Sequence, residues 1–166
     1  LPQFRNVAKE IGVDFQRFDD ISKLHRIIEG NGGGVAAFDF DADGWLDIFF
    51  TNGCRLPRTS GDTEHSNQLF QNDGTGQFRL VTSPAGLPWH GYCHGCAVGD
   101  YDQDGFEDLY VTAFGKNCLW HNQGDGTFTN ASKSLDSEVD VWSSSAAFGD
   151  LNGDGDLDLY VANYLH

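Results

Sequence analysis

Short apolar runs alternate with polar, glycine-rich stretches along this 166-residue chain. In three places a run of small apolar residues precedes a polar loop, and a run rich in aromatic and β-branched residues follows it. The preceding runs occupy residues 34–38, 95–98 and 145–148, and the following runs occupy residues 48–51, 109–112 and 159–162. Runs of this length and composition are typical of buried β-strands. The pattern therefore predicts three β-hairpins, each closed by a polar loop.

The three polar loops share one acidic motif, Asp-x-Asp/Asn-x-Asp-Gly-x-x-Asp, at residues 39–47, 100–108 and 150–158. Carboxylates at alternate positions around a glycine turn can converge on one hard cation, and calcium takes about six to eight oxygen ligands of this kind. Without a cation, so many like charges in so short a segment would repel one another strongly. The motif therefore predicts three calcium sites.

The flanking sequence excludes the EF-hand class of calcium loop. An EF-hand carries a glutamate at its twelfth loop position and lies between two helices. Here the twelfth positions are Phe50, Val111 and Val161, and the flanks have strand patterns. The predicted calcium loop therefore joins two strands.

The repeat extends beyond the acidic loop. Residues 67–72 match residues 117–122, and each segment is followed by a glycine-rich turn and a phenylalanine, Phe78 or Phe128. Phe4 begins a further copy of that last element. The unit is thus a hairpin followed by two more strands. Four-stranded units that vary in length only at some loops are typical of β-propeller blades.

The sequence therefore predicts an all-β fold, a β-propeller of four-stranded blades present as an incomplete arc of about two and a half blades. The predicted parts of this single segment are the fourth strand of a preceding blade at 1–12, a blade at 33–83, a blade at 94–132 and the first half of a blade at 143–166. Because such an arc leaves sheet edges exposed, we expect it to belong to a longer propeller or to be completed by another chain.

Charge narrows the range of partners. The formal net charge is −15, and eleven of the 25 acidic residues occupy positions 1, 3, 5 and 9 of the three motifs. The remaining acidic residues nearly balance the 10 lysines and arginines, so the acidity belongs mainly to the predicted ion sites. Nucleic acid is disfavoured as a partner because phosphate binding requires a basic surface. No apolar run approaches the length of a membrane span.

The acidic hairpins resemble the FG-GAP/VCBS repeats of integrin α-subunit propellers, and the Asn-x-Leu and Gly-x-Phe elements resemble those of ASPIC/UnbV-type and cartilage-acidic-protein relatives. The resemblance implies a calcium-stabilised, extracellular or periplasmic propeller of about seven blades that binds proteins, in adhesion or as a scaffold. It also implies calcium ligands at the side chains of motif positions 1, 3, 5 and 9 and at the carbonyl of position 7. These residues are Asp39, Asp41, Asp43, Trp45 and Asp47; Asp100, Asp102, Asp104, Phe106 and Asp108; and Asp150, Asn152, Asp154, Asp156 and Asp158. Asn152 replaces an aspartate with a neutral ligand, so we expect the third site to bind calcium less tightly.

Strand direction places the acidic loops and the glycine turns at one face of the propeller and the longer loops at the other. Functional sites concentrate in loops of this kind. We therefore expect a protein partner to bind this second face through Arg55, Arg58, Trp89 and Tyr92.

Four cysteines, Cys54, Cys93, Cys96 and Cys118, fall near the edge of the second face. Their even number is compatible with at least one disulfide bond in an oxidising compartment. The alternatives are free buried thiols, or a zinc or redox centre formed with nearby histidines. The histidines concerned are His90, His94 and His121.

The sequence favours a binding module over an enzyme. It contains no Gly-x-Ser-x-Gly, His-Glu-x-x-His or phosphate-loop motif. Its paired carboxylates could serve acid–base catalysis, but each is better placed as a calcium ligand. The alternative is the propeller domain of a larger secreted enzyme or redox complex whose active site lies outside this segment.

Overall fold

The computed structural model describes residues 3–24, 26–57, 64–135 and 141–165 of the chain. In these residues ten β-strands form the sheets, and three short 3-10 helices lie between them, at Ala8–Ile11, Ile27–Gly30 and Ser132–Ser134. The strands are β1 (Val35–Phe38), β2 (Asp47–Phe50), β3 (Gln68–Asn72), β4 (Phe78–Leu80), β5 (Tyr92–Gly99), β6 (Asp108–Gly115), β7 (Cys118–Asn122), β8 (Phe128–Asn130), β9 (Val141–Gly149) and β10 (Asp158–Leu165). None of the helices in these ranges is long and apolar enough to cross a membrane. The predicted all-β class is confirmed.

The strands pair antiparallel, in the order in which they occur along the chain. β1 to β4 form one four-stranded sheet, the first blade. β5 to β8 repeat this arrangement as the second blade, and β9 pairs with β10 as the start of a third. The third blade joins the second through a two-residue pairing of β6 with β9, Phe114 with Trp142 and Gly115 with Val141. The result is an incomplete propeller, as the repeat predicts.

The first residues do not form the predicted fourth strand at 1–12. Of that range the structure describes residues 3–12, and these are irregular up to Val7 and then form the 3-10 helix Ala8–Ile11. A strand exists only where a neighbour supplies its hydrogen bonds, and no strand in the described residues pairs with this segment. The segment packs on the first blade instead, where Gly12 lies so close to Phe78 that a Cβ atom would collide with the Phe78 carbonyl.

The main core lies between the first and second blades. Phe38, Phe49 and Leu69 come from the first blade and are at most 1% exposed. They belong to one apolar cluster with Val111 and Phe128 of the second blade. Replacing one such buried phenylalanine by alanine typically costs about 3–5 kcal/mol. Each blade therefore depends on its neighbour for much of its buried apolar surface.

A smaller apolar cluster lies at the face opposite the acidic loops. It contains Ile28, Cys54, Tyr92 and Trp142. The long connection that precedes β1 is fixed over this cluster by Arg17, whose side chain is only 14% exposed. The guanidinium of Arg17 donates to the carbonyls of residues 51 and 93, at 3.3 and 3.1 Å. This connection is therefore part of the fold and not a free loop.

The four cysteines form no disulfide bond in the described residues, so the expected bond is absent there. Cys96 and Cys118 both lie opposite Val111, on the two sides of strand β6. They are therefore two strand spacings apart, about 9–10 Å, beyond the Cα separation that a disulfide can span. Burial raises the pKa of the Cys93 thiol to about 12, and the described residues contain no metal-binding group that includes a cysteine. Of the three alternatives, free buried thiols agree with the structure.

Candidate metal centre

The acidic loops at residues 39–47, 100–108 and 150–158 share one backbone conformation. Position 6 is a glycine in each loop, with φ of 91°, 95° and 95°, and this left-handed region is accessible to glycine at little cost. Position 4 is also left-handed in all three loops, although it is Ala42, Gln103 and Gly153. Two left-handed residues within the hairpin turn the chain sharply, which directs the odd-numbered side chains towards one centre.

In the first loop, three carboxylates meet. Asp39, Asp41 and Asp43 each place one oxygen within 4.8 Å of the others. The backbone holds them there, because the N–H groups of Asp43 and Gly44 donate to Asp39 at 3.0 and 2.8 Å. One oxygen of Asp41 accepts from the Gln71 side chain. Its other oxygen, Oδ1, is buried and has no hydrogen-bond partner among the described residues.

That orphaned oxygen tests whether the loop fits a cation. A buried anionic oxygen without a partner is costly, because it has lost its water and gained nothing in return. Two further carboxylates close by add repulsion. A hard divalent cation removes both costs at once, and carboxylate oxygen is the ligand that calcium prefers. The residues present therefore fit the ion that the motif predicts.

Position 9 lies at the base of the loop. Asp47 is 0% exposed and accepts from the backbone N–H groups of Phe40, at 3.1 Å, and Asn72, at 2.8 Å. The pKa of Asp47 is raised to about 6, chiefly by burial and also by the charges of Asp41 and Asp43, although the two backbone hydrogen bonds lower it. Asp47 therefore joins the loop to strand β3 and adds a buried negative charge beneath the three upper carboxylates.

The second loop repeats this arrangement and adds a histidine. Asp100, Asp102 and Asp104 again lie within 4.8 Å of one another. Asp108 is 0% exposed, and burial raises the pKa of its carboxyl group as it does for Asp47. His121, on strand β7, forms a further group with Asp102 and Asp108. Among the described residues, an imidazole group therefore lies at the second loop only.

The third loop differs from the first two in its hydrogen bonds, since the N–H group at position 4, and not the one at position 5, donates to the first aspartate. The N–H groups of Gly153 and Gly155 donate to Asp150 at 2.6 and 3.1 Å. In the described residues, however, no three carboxylates of this loop lie within 4.8 Å of one another. The side-chain oxygen of Asn152 accepts from the backbone of Asp154 instead. Asp158 accepts from the loop backbone at 2.9 Å, but no third strand in the described residues donates to it.

The aromatic residues at position 7 hold two of the loops against the neighbouring turn. Trp45 lies over Gly74, where an added Cβ would approach the indole nitrogen to 2.8 Å. Phe106 lies over Gly124 in the same way. The side chains of the two predicted carbonyl ligands thus pack on the turn between the third and fourth strands. The third loop has Asp156 at this position.

The sequence motif does not reveal the residues of the third strand that support each loop. Asn72 and Asn122 donate through their side chains to the loop carbonyls of residues 46 and 107, at 3.3 and 3.2 Å. The side chains one residue earlier, Gln71 and His121, reach the carboxylates themselves. Alignment of residues 67–72 with residues 117–122 is the signal that could identify them, since both pairs occupy matching positions.

Of the residues expected to bind a partner, one lies in the interior. Tyr92 is 0% exposed, and its hydroxyl donates to the Asp19 carbonyl at 2.6 Å, so its assignment to a binding surface is wrong. Trp89 is half-buried against Trp120, with ring centroids 6.2 Å apart, and its assignment stays a prediction. Arg55 is exposed and pairs with Glu64 at 2.9 Å; Arg58 lies outside the described residues.

Comparison with known proteins agrees with this arrangement of strands and loops. No curated protein matches the chain significantly. A family model described as "FG-GAP-like repeat" matches at residues 39–111 and again at residues 100–161. Such repeats are typical of propeller-type protein-binding modules found outside cells. Because the two matches together span residues 39–161, most of the chain, this protein belongs to the FG-GAP-like repeat family.

Proposed function

We propose that this chain is a calcium-binding propeller segment that acts outside the cytoplasm as a protein-binding or scaffold module. The observation that carries the proposal is the first loop, where three carboxylates converge and the buried Oδ1 of Asp41 has no partner. The repetition of the carboxylate group at Asp100, Asp102 and Asp104 supports a common purpose.

Calcium would be held by the oxygen atoms at positions 1, 3, 5, 7 and 9 of each loop, and it supplies the positive charge that those positions lack. The chain's own residues orient the ligands and connect the loop to the rest of the blade. Backbone N–H groups orient Asp39 and Asp100, and Asp47 and Asp108 tie the loop to the third strand. Ion binding therefore stabilises the folded blade, because the unfolded chain has no such preformed group.

A location outside the cytoplasm is part of the proposal. Calcium modules of the extracellular kind bind with Kd of roughly 10⁻⁴–10⁻³ M, a range that cytosolic calcium does not fill. The exposed position of the first and second loops agrees with this class, since Asp43 and Asp104 are both open to solvent. We further propose that this segment is not catalytic; product formation by the purified protein with any offered substrate would contradict that part of the proposal.

The partner surface is proposed on the face opposite the acidic loops, around three apolar residues that the sequence analysis did not indicate. Ile21, Leu24 and Ile27 lie close together in the chain and are 79%, 73% and 65% exposed. Exposed apolar side chains in such a group are typical of protein-binding surfaces. Arg55 adds an exposed positive charge on the same face. Alanine at the three apolar positions should weaken partner capture; unchanged capture would exclude this surface.

Chelation tests the calcium proposal. We expect the melting temperature to fall when calcium is removed and to recover when calcium, but not magnesium, is returned, because magnesium requires a tight octahedral site. Asp43→Ala should lower the melting temperature in calcium, because it removes one of the three converging carboxylates. Glu10→Ala is the control, since Glu10 is exposed and its pairing with Arg5 at 3.1 Å contributes at most about 1 kcal/mol. A melting temperature indifferent to chelator would contradict the proposal.

A further inference from the structure

His121 gives the second loop a ligand that the first loop does not have. It lies on β7, directly below the loop, and its side chain is 24% exposed. Its Nδ1 atom is 3.3 Å from Asp102 Oδ2 and 3.2 Å from Asp108 Oδ1. Its Nε2 atom is 3.9 Å from Asp104 Oδ2. One ring nitrogen thus faces two carboxylates from different parts of the loop.

These distances agree with the edges of a tetrahedral metal site. Zinc binds histidine nitrogen and carboxylate oxygen at about 2.0–2.2 Å, so neighbouring ligand atoms of a tetrahedral site are about 3.3 Å apart. The two contacts of His121 Nδ1, to Asp102 and to Asp108, have this length. The three ligand atoms also lie within 4.8 Å of one another as a set. The three side chains are therefore already grouped, and an ion would replace the hydrogen bond between His121 Nδ1 and Asp108 Oδ1.

The ligands are held in place by their surroundings. The Asn122 N–H donates to Asp108 Oδ1 at 2.8 Å, and the Tyr101 N–H donates to its Oδ2 at 3.1 Å. The ring of Tyr101 packs edge-on against the imidazole of His121, with centroids 6.1 Å apart. Groups that hold the metal-binding side chains in a fixed orientation are typical of metal sites in proteins.

The first loop provides the internal comparison. The residue that corresponds to His121 is Gln71, whose amide nitrogen donates to Asp41. The lone pair of an amide nitrogen is delocalised into the carbonyl group and is not available to a metal, so the first loop offers oxygen ligands only. Oxygen ligands suit calcium, whereas imidazole with carboxylate suits zinc and its neighbours among the divalent transition metals. The two loops thus differ in the ions that they favour.

We propose that Asp102, Asp108 and His121 form a site for a divalent transition-metal ion of the zinc class. The inference rests on the proposed function in one respect, that the second loop is a cation site. Because Asp102 belongs to both carboxylate groups of this loop, zinc and calcium compete there, while the first loop binds calcium alone.

The test is zinc and calcium titration by calorimetry of the tag-free protein and of His121→Gln, which gives the second loop the side chain found in the first. We expect the wild-type protein to bind one zinc ion that the variant binds at least about tenfold more weakly, equivalent to about 1.4 kcal/mol. Calcium binding by the variant should be retained. Cobalt added to the wild-type protein should give the strong visible absorption of a tetrahedral site, a measurement that does not depend on the variant.

Equal zinc affinity in the wild-type protein and His121→Gln would overturn the inference, and so would a wild-type protein that binds neither zinc nor cobalt. The proposed function fails separately. If calcium binds to neither protein while the zinc difference remains, the calcium proposal is wrong and the transition-metal site stands. If calcium binds to both and zinc does not distinguish them, only the present inference is lost.

Discussion

Asp47 and Asp108 are charged residues at the interior ends of two hairpins, each 0% exposed. Each accepts two backbone N–H groups, one from its own loop and one from the third strand of its blade. These bonds favour the ionised form, but burial outweighs them and raises both pKa values. A nearby cation would reverse that balance. The ninth motif position is therefore where ion binding and blade packing are coupled most directly.

His94 is a buried residue of a different kind. It is 5% exposed, and neither ring nitrogen makes a hydrogen bond of normal geometry in the described residues. The pKa of His94 is lowered to about 4, chiefly by burial and also by the charge of Arg17. The backbone of Gly32 and the charge of Asp19 act in the opposite sense. The imidazole is therefore neutral in the folded protein at ordinary pH.

The stability of the protein should consequently depend on pH through His94. The unfolded chain binds this proton near pH 6.5 and the folded chain near pH 4, so the unfolded state holds more protons between those values. The stabilisation is complete above pH 6.5 and is lost as pH falls towards 4, by at most about 3 kcal/mol. Phenylalanine at this position cannot take up the proton and keeps the aromatic contact with Trp142, at 5.6 Å between centroids.

Denaturant unfolding at a series of pH values, in chelator, measures this effect for the wild-type protein and His94→Phe. The difference between their unfolding free energies should shift by the predicted amount between pH 6.5 and pH 4 and stay constant above it. Other carboxylates titrate in the same range, which is why the difference is used. If the difference in unfolding free energy does not change with pH, the pH dependence does not come from His94.

At the scale of elements, each blade contains two hairpins that depend on each other. The first carries the acidic loop between its strands, and the second carries a glycine turn between the third and fourth strands. Phe106 of the second acidic loop packs on Gly124 of the neighbouring turn. The turn therefore requires glycine at position 124, because a side chain there would displace Phe106 from the acidic loop.

Alanine substitutions at two glycines of that turn distinguish the effect of backbone strain from the effect of losing the Phe106 contact. Gly124 and Gly126 both have positive φ, 71° and 80°, so alanine at either costs about 1–2 kcal/mol of strain. At Gly124 the new Cβ would also approach the ring of Phe106 to 2.5 Å, whereas at Gly126 its nearest neighbour is at 3.7 Å. Gly124→Ala should therefore displace Phe106 and weaken calcium binding at the second loop, while Gly126→Ala should reduce stability alone.

Calcium titration together with thermal unfolding of both variants checks this expectation. Gly126→Ala serves as the control for strain in the same turn. If the two variants bind calcium equally, the aromatic residue at position 7 does not support the loop.

The sequence predicts the hairpins and blades well because their signals are local. Apolar runs, the glycine at position 6 and the matching segments 67–72 and 117–122 all repeat in register. Failures occur where the outcome depends on distant neighbours. Tyr92 has an unremarkable sequence context, yet the connection before β1 covers it through Asp19. Residues 3–12 carry a strand pattern but have no strand beside them in the described residues.

At the scale of the whole molecule, neighbouring blades are joined by more than apolar packing. Phe40, in the first acidic loop, stacks on Phe128 of the second blade with centroids 6.1 Å apart. Gln103, in the second acidic loop, donates to Asp156 of the third at 2.7 Å. The first and second acidic loops thus each contact the next blade. Ion binding at one loop should therefore stabilise its neighbour as well as its own hairpin.

Asn122 provides the most direct measure of this connection. It is 0% exposed, and its side-chain amide donates across the blade boundary to the Phe40 carbonyl at 2.8 Å, besides the Glu107 carbonyl of its own blade. Asn72 is its counterpart in the first blade, where it is half-buried and, among the described residues, donates within that blade only, at 3.3 Å. Both asparagines also accept from a turn glycine, at 3.0 and 3.1 Å.

Substitution of either asparagine by alanine therefore removes the equivalent hydrogen bonds within its own blade. Only the substitution of Asn122 also removes a hydrogen bond between blades. Asn122→Ala leaves the buried Phe40 carbonyl without its donor, and we expect it to reduce the free energy of unfolding by about 2–3 kcal/mol. Asn72→Ala should cost about 1 kcal/mol. Hydrogen exchange should place the additional loss at the Phe40 loop as well as in the second blade, because the broken bond ends there. If the two variants lose equal stability, or if exchange rises in the second blade alone, the blades are held together by apolar packing and the polar bond between them contributes nothing measurable.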